Sequence, residues 1–201
     1  MKSNVCKIEK GTKDLEAILK ESERVAEYNG LNHKETLQLR LLCEEVDGML
    51  PNIINDFEGD IWIEYEDNTC KVRVSIEIPE LNIDEKEALI AVSGNKKNAA
   101  AVGIVGKIRN AIENILLNDD SFAALNPASS YRSFYIGAGY TDGMDYSYLW
   151  SLEDYRATVK REEKTEEWDE LEKSVIASVA DDVIVGVRGK TADITIVKKF
   201  A

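Results

Sequence analysis

Hydrophobic residues in the first part of the chain recur at helical spacing. Apolar positions three and four residues apart predict one helix over residues 13–28 and a second that begins after Asn32. Asn32 and Glu35 have the spacing of a capping box, and Gly30 supplies a glycine at the end of the first helix. We expect Pro51 and the polar residues behind it to end the second helix.

Alternation of apolar and polar residues predicts the strands. Segment 5–10 is typical of a short strand, and residues 61–78 alternate on both sides of an Asp-Asn turn, which predicts an antiparallel hairpin. Residues 183–196 alternate around an Arg-Gly-Lys turn and predict a second hairpin. Strands and helices segregated in this way favour an α+β fold, a two-layer α/β sandwich with a mixed sheet and helices packed on one face.

The region between the hairpins is mainly helical. Residues 84–119 predict two helical pieces, whose second has an apolar inner face, and residues 118–149 indicate an ordered loop or short strand. A charged helical stretch follows, with a break near 162–165 and then a final apolar stripe. The predicted inner face is Val102, Val105, Ile108, Ile112 and Ile115, and the predicted stripe is Trp168, Leu171, Val175 and Val179. No internal repeat is evident, so we expect a single domain over residues 1–201.

Charge and cysteine content narrow the classes of function. The 201 residues include 38 acidic and 25 basic side chains, a formal charge of −13, which argues against nucleic-acid and anionic-membrane partners. The sequence shows neither a membrane-spanning apolar run nor a signal peptide. Cys6, Cys43 and Cys70 are widely spaced and indicate free thiols, so we expect a cytoplasmic protein. The single histidine, His33, is predicted to be an exposed residue in the first turn of a helix.

Two separated stretches carry a resemblance to a known family. The run LQLRLLCEEVDGMLPNII followed by GDIWIEYEDNTCKVRVSIEI, together with IASVADDVIVGVRGKTADITIVKKF, resembles the ATPase domain of the GHKL superfamily. The similar stretches are chiefly residues 31–78 and 170–200, and stand-alone anti-sigma-factor serine kinases look most similar. The resemblance implies a histidine-kinase-like ATPase domain of the Bergerat type and a bacterial, cytoplasmic regulator.

The resemblance places a catalytic carboxylate at Glu45 and a Mg²⁺ ligand four residues later. Family members carry an Asn there, whereas this chain has Met49, whose thioether is a poor ligand for Mg²⁺. Starting the pattern at Glu44 puts Gly48 in that position, and Asp47 faces another direction. The resemblance therefore implies a degenerate active site without a Mg²⁺ site, in which Met49 serves as core packing.

The nucleotide-contacting motifs of the family are also altered. Pro79 stands where the glycine-rich adenine loop of the family begins, and Glu77 or Glu80 could supply its carboxylate. The candidate phosphate-binding residues precede an alanine-rich helix, where a positive helix end and two lysines would favour an anion, although an ordinary helix cap fits the same pattern. They are Gly94, Asn95, Lys96, Lys97 and Asn98, with the glycines of Gly137-Ala138-Gly139 as another possibility.

Three hypotheses follow. In the first, the domain binds ATP or ADP with weak or no catalysis and acts, as anti-sigma factors do, through a protein partner. In the second, nucleotide binding is lost and the fold serves as a protein-interaction module, with a homodimer as one form. An active serine kinase ranks last, because phosphoryl transfer depends on Mg²⁺ to neutralise charge on the phosphates.

Overall fold

A computed structural model describes residues 1–10, 15–54, 57–77, 104–109, 112, 148–162, 165–188 and 190–201. Its strands are β1 (Cys6–Glu9), β2 (Glu58–Glu66), β3 (Thr69–Glu77), β4 (Tyr148–Ser151), β5 (Asp182–Arg188) and β6 (Thr191–Lys199). Outside residues 104–112, its helices are α1 (Leu15–Tyr28), α2 (His33–Ile53), α3 (Leu152–Arg161), α4 (Thr165–Lys173) and α5 (Val175–Val179). Residues 104–109 and 112 are also helical.

The strands form one sheet in the order β1-β2-β3-β6-β5-β4. This arrangement confirms the α+β sandwich. Every described ladder is antiparallel, however, so the expectation of a mixed sheet was wrong in this part of the chain. The reason is that each hairpin joins antiparallel strands, and β3 and β6 bring the two hairpins together as a further antiparallel pair.

The first hairpin has the register that its alternation predicts. Asp67 and Asn68 form its turn with φ of 48° and 59°, the left-handed conformation that two-residue hairpin turns require. Ile61, Ile63 and Tyr65 of β2 are buried, whereas Glu64 and the other residues between them face the opposite side of the sheet. The predicted hairpin of one apolar and one polar face is confirmed.

The ends of α1 and α2 follow from local chemistry. Gly30 has φ of +68° and its neighbour Leu31 donates to the carbonyl of Ala26, which closes α1 as predicted. Asn32 and Glu35 form the predicted capping box at the start of α2. Pro51 lies inside the last turn of α2, which ends at Ile53, between Pro51 and the polar stretch 55–60 that were together predicted to end it. Leu50 and Ile53 are buried, and this packing outweighs the hydrogen bond that proline cannot donate.

The core lies between the helices and one face of the sheet. The inward residues of β2, β3, β5 and β6 join the apolar faces of α1 and α2 in one buried cluster, which Ile104, Ile108 and Ile112 also enter. Ile108 and Ile112 confirm two positions of the predicted inner face, and Val105 packs against the same cluster. Val102 and Ile115 lie outside the described residues.

The last helical stretch differs from its predicted stripe. The helical conformation is interrupted at Ser174, which caps α5, so α4 and α5 are two separate helices. Leu171 is buried, but Trp168 and Val175 are 38% and 36% exposed, and Ile176 enters the core instead. In the described residues, no helix is long and apolar enough to cross a membrane.

Candidate functional site

Helix α2 determines where Glu45 lies. The capping box fixes its first turn: the Glu35 N–H donates to Asn32 Oδ1 over 3.1 Å, and the Asn32 N–H donates to the Glu35 carboxylate over 2.9 Å. From this start, one face of the helix turns into the core, where Leu42 and Val46 are fully buried. Glu45 lies at the border of that face and is partly buried.

Met49 lies one helical turn beyond Glu45, on the core side. Its side chain is 3% exposed and belongs to the main hydrophobic cluster, together with Ile104 and Ile108 of the neighbouring helical segment. The prediction that Met49 is core packing is confirmed. A thioether surrounded by apolar side chains offers Mg²⁺ neither an oxygen ligand nor space for the water that Mg²⁺ retains. The residues present at this position therefore do not fit a Mg²⁺ ion.

The alternative position, Gly48, does not restore the site. Gly48 is exposed, a Cβ atom added to it would meet nothing within 4 Å, and its carbonyl accepts a 3.0 Å hydrogen bond from Asn52. Glu44, the carboxylate that would accompany Gly48, is bound to the Arg40 guanidinium at 3.1 Å. The shifted pattern thus has a paired carboxylate and no ligand side chain.

The two remaining carboxylates near this turn are separate. Glu45 forms no hydrogen bond or ion pair with the part of the chain that the structure describes. Burial raises the pKa of Asp47 above the ordinary value for an aspartate. Asp47 follows Glu45 by two residues, about 200° around the helix, so the two side chains cannot bind one ligand from the same face.

The predicted phosphate-binding residues are not described by the structure. Gly94, Asn95, Lys96, Lys97 and Asn98 lie outside the described residues, as do Glu80, Pro79 and the glycines at 137 and 139. Glu77 is described, at the end of β3, where it is exposed and opposite Glu58. Across residues 1–10, 15–54, 57–77 and the described parts of 104–201, no group of three His, Cys, Asp or Glu side chains could hold a metal ion.

A second polar cluster, around Asp182, was not predicted as a unit. Asp182 is 4% exposed, and its Oδ1 accepts the backbone N–H groups of Val183 at 2.8 Å and Glu153 at 3.0 Å. Ser151 donates its hydroxyl to the same carboxylate at 3.2 Å and caps α3. Burial raises the pKa of Asp182 although these hydrogen bonds act in the opposite direction.

The neighbouring Arg156 completes this junction. Its guanidinium donates to the carbonyl oxygens of Ala177, Ala180 and Asp181, which are the last groups of α5 and the turn that follows. The Asp181 carboxylate accepts the Lys199 N–H at 2.6 Å. Asp181 and Asp182 thus lie between the end of α5 and the second hairpin, and their side chains hold this turn in place. Their partners in α3 are about 30 residues away in sequence, so no local spacing could have revealed them.

The three cysteines are free thiols, as predicted, and all are buried. Burial raises the pKa of Cys70 to about 12 and also raises the pKa of Cys43. Thiols in such an environment remain protonated and are poor nucleophiles and metal ligands. His33 is exposed in the first turn of α2, as predicted.

Comparisons with known proteins add no assignment: no family model matches this chain, and searches of curated proteins and of solved structures find no match.

Proposed function

We propose that this chain is a bacterial intracellular regulator, built on a degenerate GHKL-type domain, that acts by binding protein partners and does not catalyse Mg²⁺-dependent phosphoryl transfer. One observation carries the proposal. The side chain one turn beyond Glu45, where the resemblance requires a Mg²⁺ ligand, is a methionine buried in the hydrophobic core. Glu45 then has no metal-bound phosphate on which to act.

The arrangement of the similar stretches supports the family part of the proposal. The first stretch ends in hairpin β2–β3 and the second contains hairpin β5–β6. These hairpins are neighbours in the sheet, because β3 pairs with β6 from Thr69 opposite Lys199 to Glu77 opposite Thr191. Helix α2, which carries Glu45, contacts both β3 and α5, so the similar stretches share one core.

Binding of ATP or ADP without catalysis is the second candidate function. Glu45 supports this candidate. Its carboxylate lies at the edge of the core and has no partner in the described part of the chain, so it can accept a hydrogen bond from a bound ligand. The residues expected to hold the phosphates, from Gly94 to Asn98, stay a prediction.

The catalytic part of the proposal is tested by phosphate release from ATP with Mg²⁺. Wild type, Glu45→Ala and Glu44→Ala should all give the background rate. Glu44→Ala is a matched control, because Glu44 is the adjacent carboxylate and is bound to Arg40. Release that Glu45→Ala abolishes and Glu44→Ala retains would overturn the proposal in favour of an active kinase.

Thermal unfolding with ATP or ADP, each with and without Mg²⁺, separates the two candidate functions. A ligand at a hundred times its Kd stabilises the native state by about 2.7 kcal/mol, which raises Tm by several degrees for a chain of this size. A shift independent of Mg²⁺ would favour nucleotide binding without catalysis. If Tm does not change, the protein-interaction function without nucleotide binding is favoured. A rise in Tm that requires Mg²⁺ would contradict the inference that Met49 leaves no Mg²⁺ site.

A further inference from the structure

The turn that closes α1 contains Asn29 and Gly30, the only asparagine in the sequence that is followed by a glycine. Gly30 is exposed with φ of +68°, and Asn29 is partly exposed, so solvent reaches both residues. Glycine has no side chain to shield its own backbone nitrogen. The Asn29 side chain therefore lies next to the least hindered backbone nitrogen that can follow an asparagine.

This pair of residues can react within the chain, because asparagine is a thermolabile residue type. The backbone nitrogen of Gly30 attacks Cγ of Asn29 and forms a new C–N bond. The side-chain amide takes up the proton that this nitrogen loses and leaves as ammonia, which gives a cyclic succinimide. Water then opens the ring at either carbonyl and leaves an aspartate or an isoaspartate linkage, so water is the only co-reactant.

The position of Asn29 at a helix end makes the attacking nitrogen available. The Asn29 N–H donates to the Val25 carbonyl at 3.2 Å, and the Gly30 N–H donates to the Glu27 carbonyl at 3.2 Å. Helix ends open more readily than helix interiors. Opening of this last turn releases the Gly30 nitrogen for the attack.

The side-chain amide of Asn29 makes contacts that a carboxylate cannot replace. Its Nδ2 donates to the Val25 carbonyl at 2.7 Å and contacts the Met1 sulfur at 3.5 Å. An ionised carboxylate has no N–H to donate, and its charge would lie beside the negative end of the α1 dipole. The last turn of α1 contains no basic residue that would offset this charge.

We propose that Asn29 is a site of spontaneous deamidation, and that the carboxylate formed there loosens the end of α1 and its contact with Met1. Val25 and Ala26 at this end of the helix are buried, and α1 packs on α2 and β2. The modification therefore lowers the stability of the folded chain. The inference does not depend on nucleotide binding or on the resemblance.

Peptide mapping by mass spectrometry of the full chain, held at mildly alkaline pH, tests the chemistry. The mass gain of an amide-to-carboxyl exchange, located by fragmentation, should occur at Asn29 before it occurs at Asn4 or Asn68. Those two asparagines are exposed as well, but they precede Val5 and Thr69, whose β-branched side chains hinder the following nitrogen. Asn29→Gln should abolish the early gain, because its longer side chain closes the ring far more slowly.

Thermal unfolding tests the consequence for stability. Asn29→Asp should lower Tm by about 3 °C at neutral pH, because it removes a hydrogen bond and adds an unfavourable charge at the helix end. Asn29→Ala is the matched control, since it removes the same hydrogen bond without adding charge, and should lower Tm less. The proposal would be overturned if Asn29 lost its amide no sooner than Asn4 and Asn68, or if Asn29→Asp were as stable as wild type or as Asn29→Ala.

Discussion

The two hairpins of the sheet share an alternating pattern but differ in how their outer faces are buried. One row of cross-strand partners crosses the sheet on the side away from the core, in the order Trp62, Arg73, Thr195, Ile184 and Ser151. Trp62 and Arg73 of the first hairpin are partly exposed, whereas Thr195 and Ile184 of the second are 9% and 5% exposed.

The chemistry of the outward positions explains this difference. The first hairpin places charged side chains there, and Arg73 and Glu64 form a 2.6 Å ion pair across β2 and β3. The second hairpin places Ile184 and Val197 there, and both are buried outside the main core cluster. A strand with one solvent-exposed face and a strand buried on both faces can thus show the same apolar alternation at their inward positions. Only the outward positions distinguish them.

Truncating the outer face of the second hairpin should have the largest effect. We expect Ile184→Ala to lower the free energy of unfolding by about 3 kcal/mol, because it removes a buried side chain and leaves a cavity. Lys71→Ala, at an outward position of the first hairpin, should cost less than about 0.5 kcal/mol. Urea denaturation of both variants measures the difference, and equal losses would show that the outer faces are buried alike.

Gly59 of β2 leaves no room for a side chain in the first hairpin. A Cβ atom added there would lie 2.2 Å from the Ser75 carbonyl oxygen of the neighbouring strand. We expect Gly59→Ala to destabilise the protein by about 2 kcal/mol, because the two backbones must separate.

The matched substitution in α2 should have the opposite sign. Gly48→Ala meets no atom within 4 Å and should stabilise the helix by about 0.5 kcal/mol, because alanine loses less backbone freedom than glycine. Thermal unfolding of both variants checks this contrast. A stable Gly59→Ala protein would mean that β2 and β3 can move apart at no cost.

The buried carboxylate at the start of β5 should give a smaller effect that depends on pH. Burial raises the pKa of Asp182 in the folded state above its value in the unfolded chain, so the folded state binds more protons in the interval between the two values. This contribution to stability is present at low pH and is lost as the pH rises through the folded-state pKa.

The Asp182→Asn variant isolates that contribution. An asparagine Oδ1 can still accept the N–H groups of Glu153 and Val183, but it does not titrate. The stability of the variant relative to wild type should therefore increase as the pH rises from acid towards neutral, measured by urea denaturation at several pH values. A decrease over the same interval would show that the hydrogen bonds outweigh burial.

The turn of the first hairpin should give the smallest effect. Asn68 has a positive φ, and glycine adopts this conformation without the steric cost that a side chain brings. We expect Asn68→Gly to raise the free energy of unfolding by about 0.5 kcal/mol in urea titrations, and Glu66→Gly, within β2, to lower it. Destabilisation by Asn68→Gly would indicate that the contact of its Oδ1 with the Tyr65 hydroxyl contributes more than the turn geometry.

Much of the fold was predictable because its signals are local. The capping box at Asn32, the glycine at the end of α1 and the Asp-Asn turn act within a few residues, and each appears where the sequence predicts it. Pro51 shows the limit of such reasoning, since the buried side chains beyond it hold the helix together for two more residues. The strand order was not predictable, because β3 and β6 are separated by more than a hundred residues.

Less of the candidate site could be predicted. The spacing of Glu45 and Met49 placed both on one side of α2, and the apolar residues one turn before Met49 indicated that its side chain packs in the core. The Asp182 junction was not predictable, because Ser151, Arg156 and the end of α5 meet only in the folded chain.

The amino-acid sequence by itself determined the start of α2, the end of α1, the two hairpins with their apolar inward faces, and how strongly acidic the chain is. These properties depend on residues that are close in sequence and, for the net charge, on the count of acidic and basic side chains. Only the tertiary structure decided that the second hairpin is buried on both faces, that Met49 is enclosed by the core, and that Asp182 meets Ser151 and Glu153. Such outcomes depend on packing between segments that are distant in sequence, which local patterns do not encode.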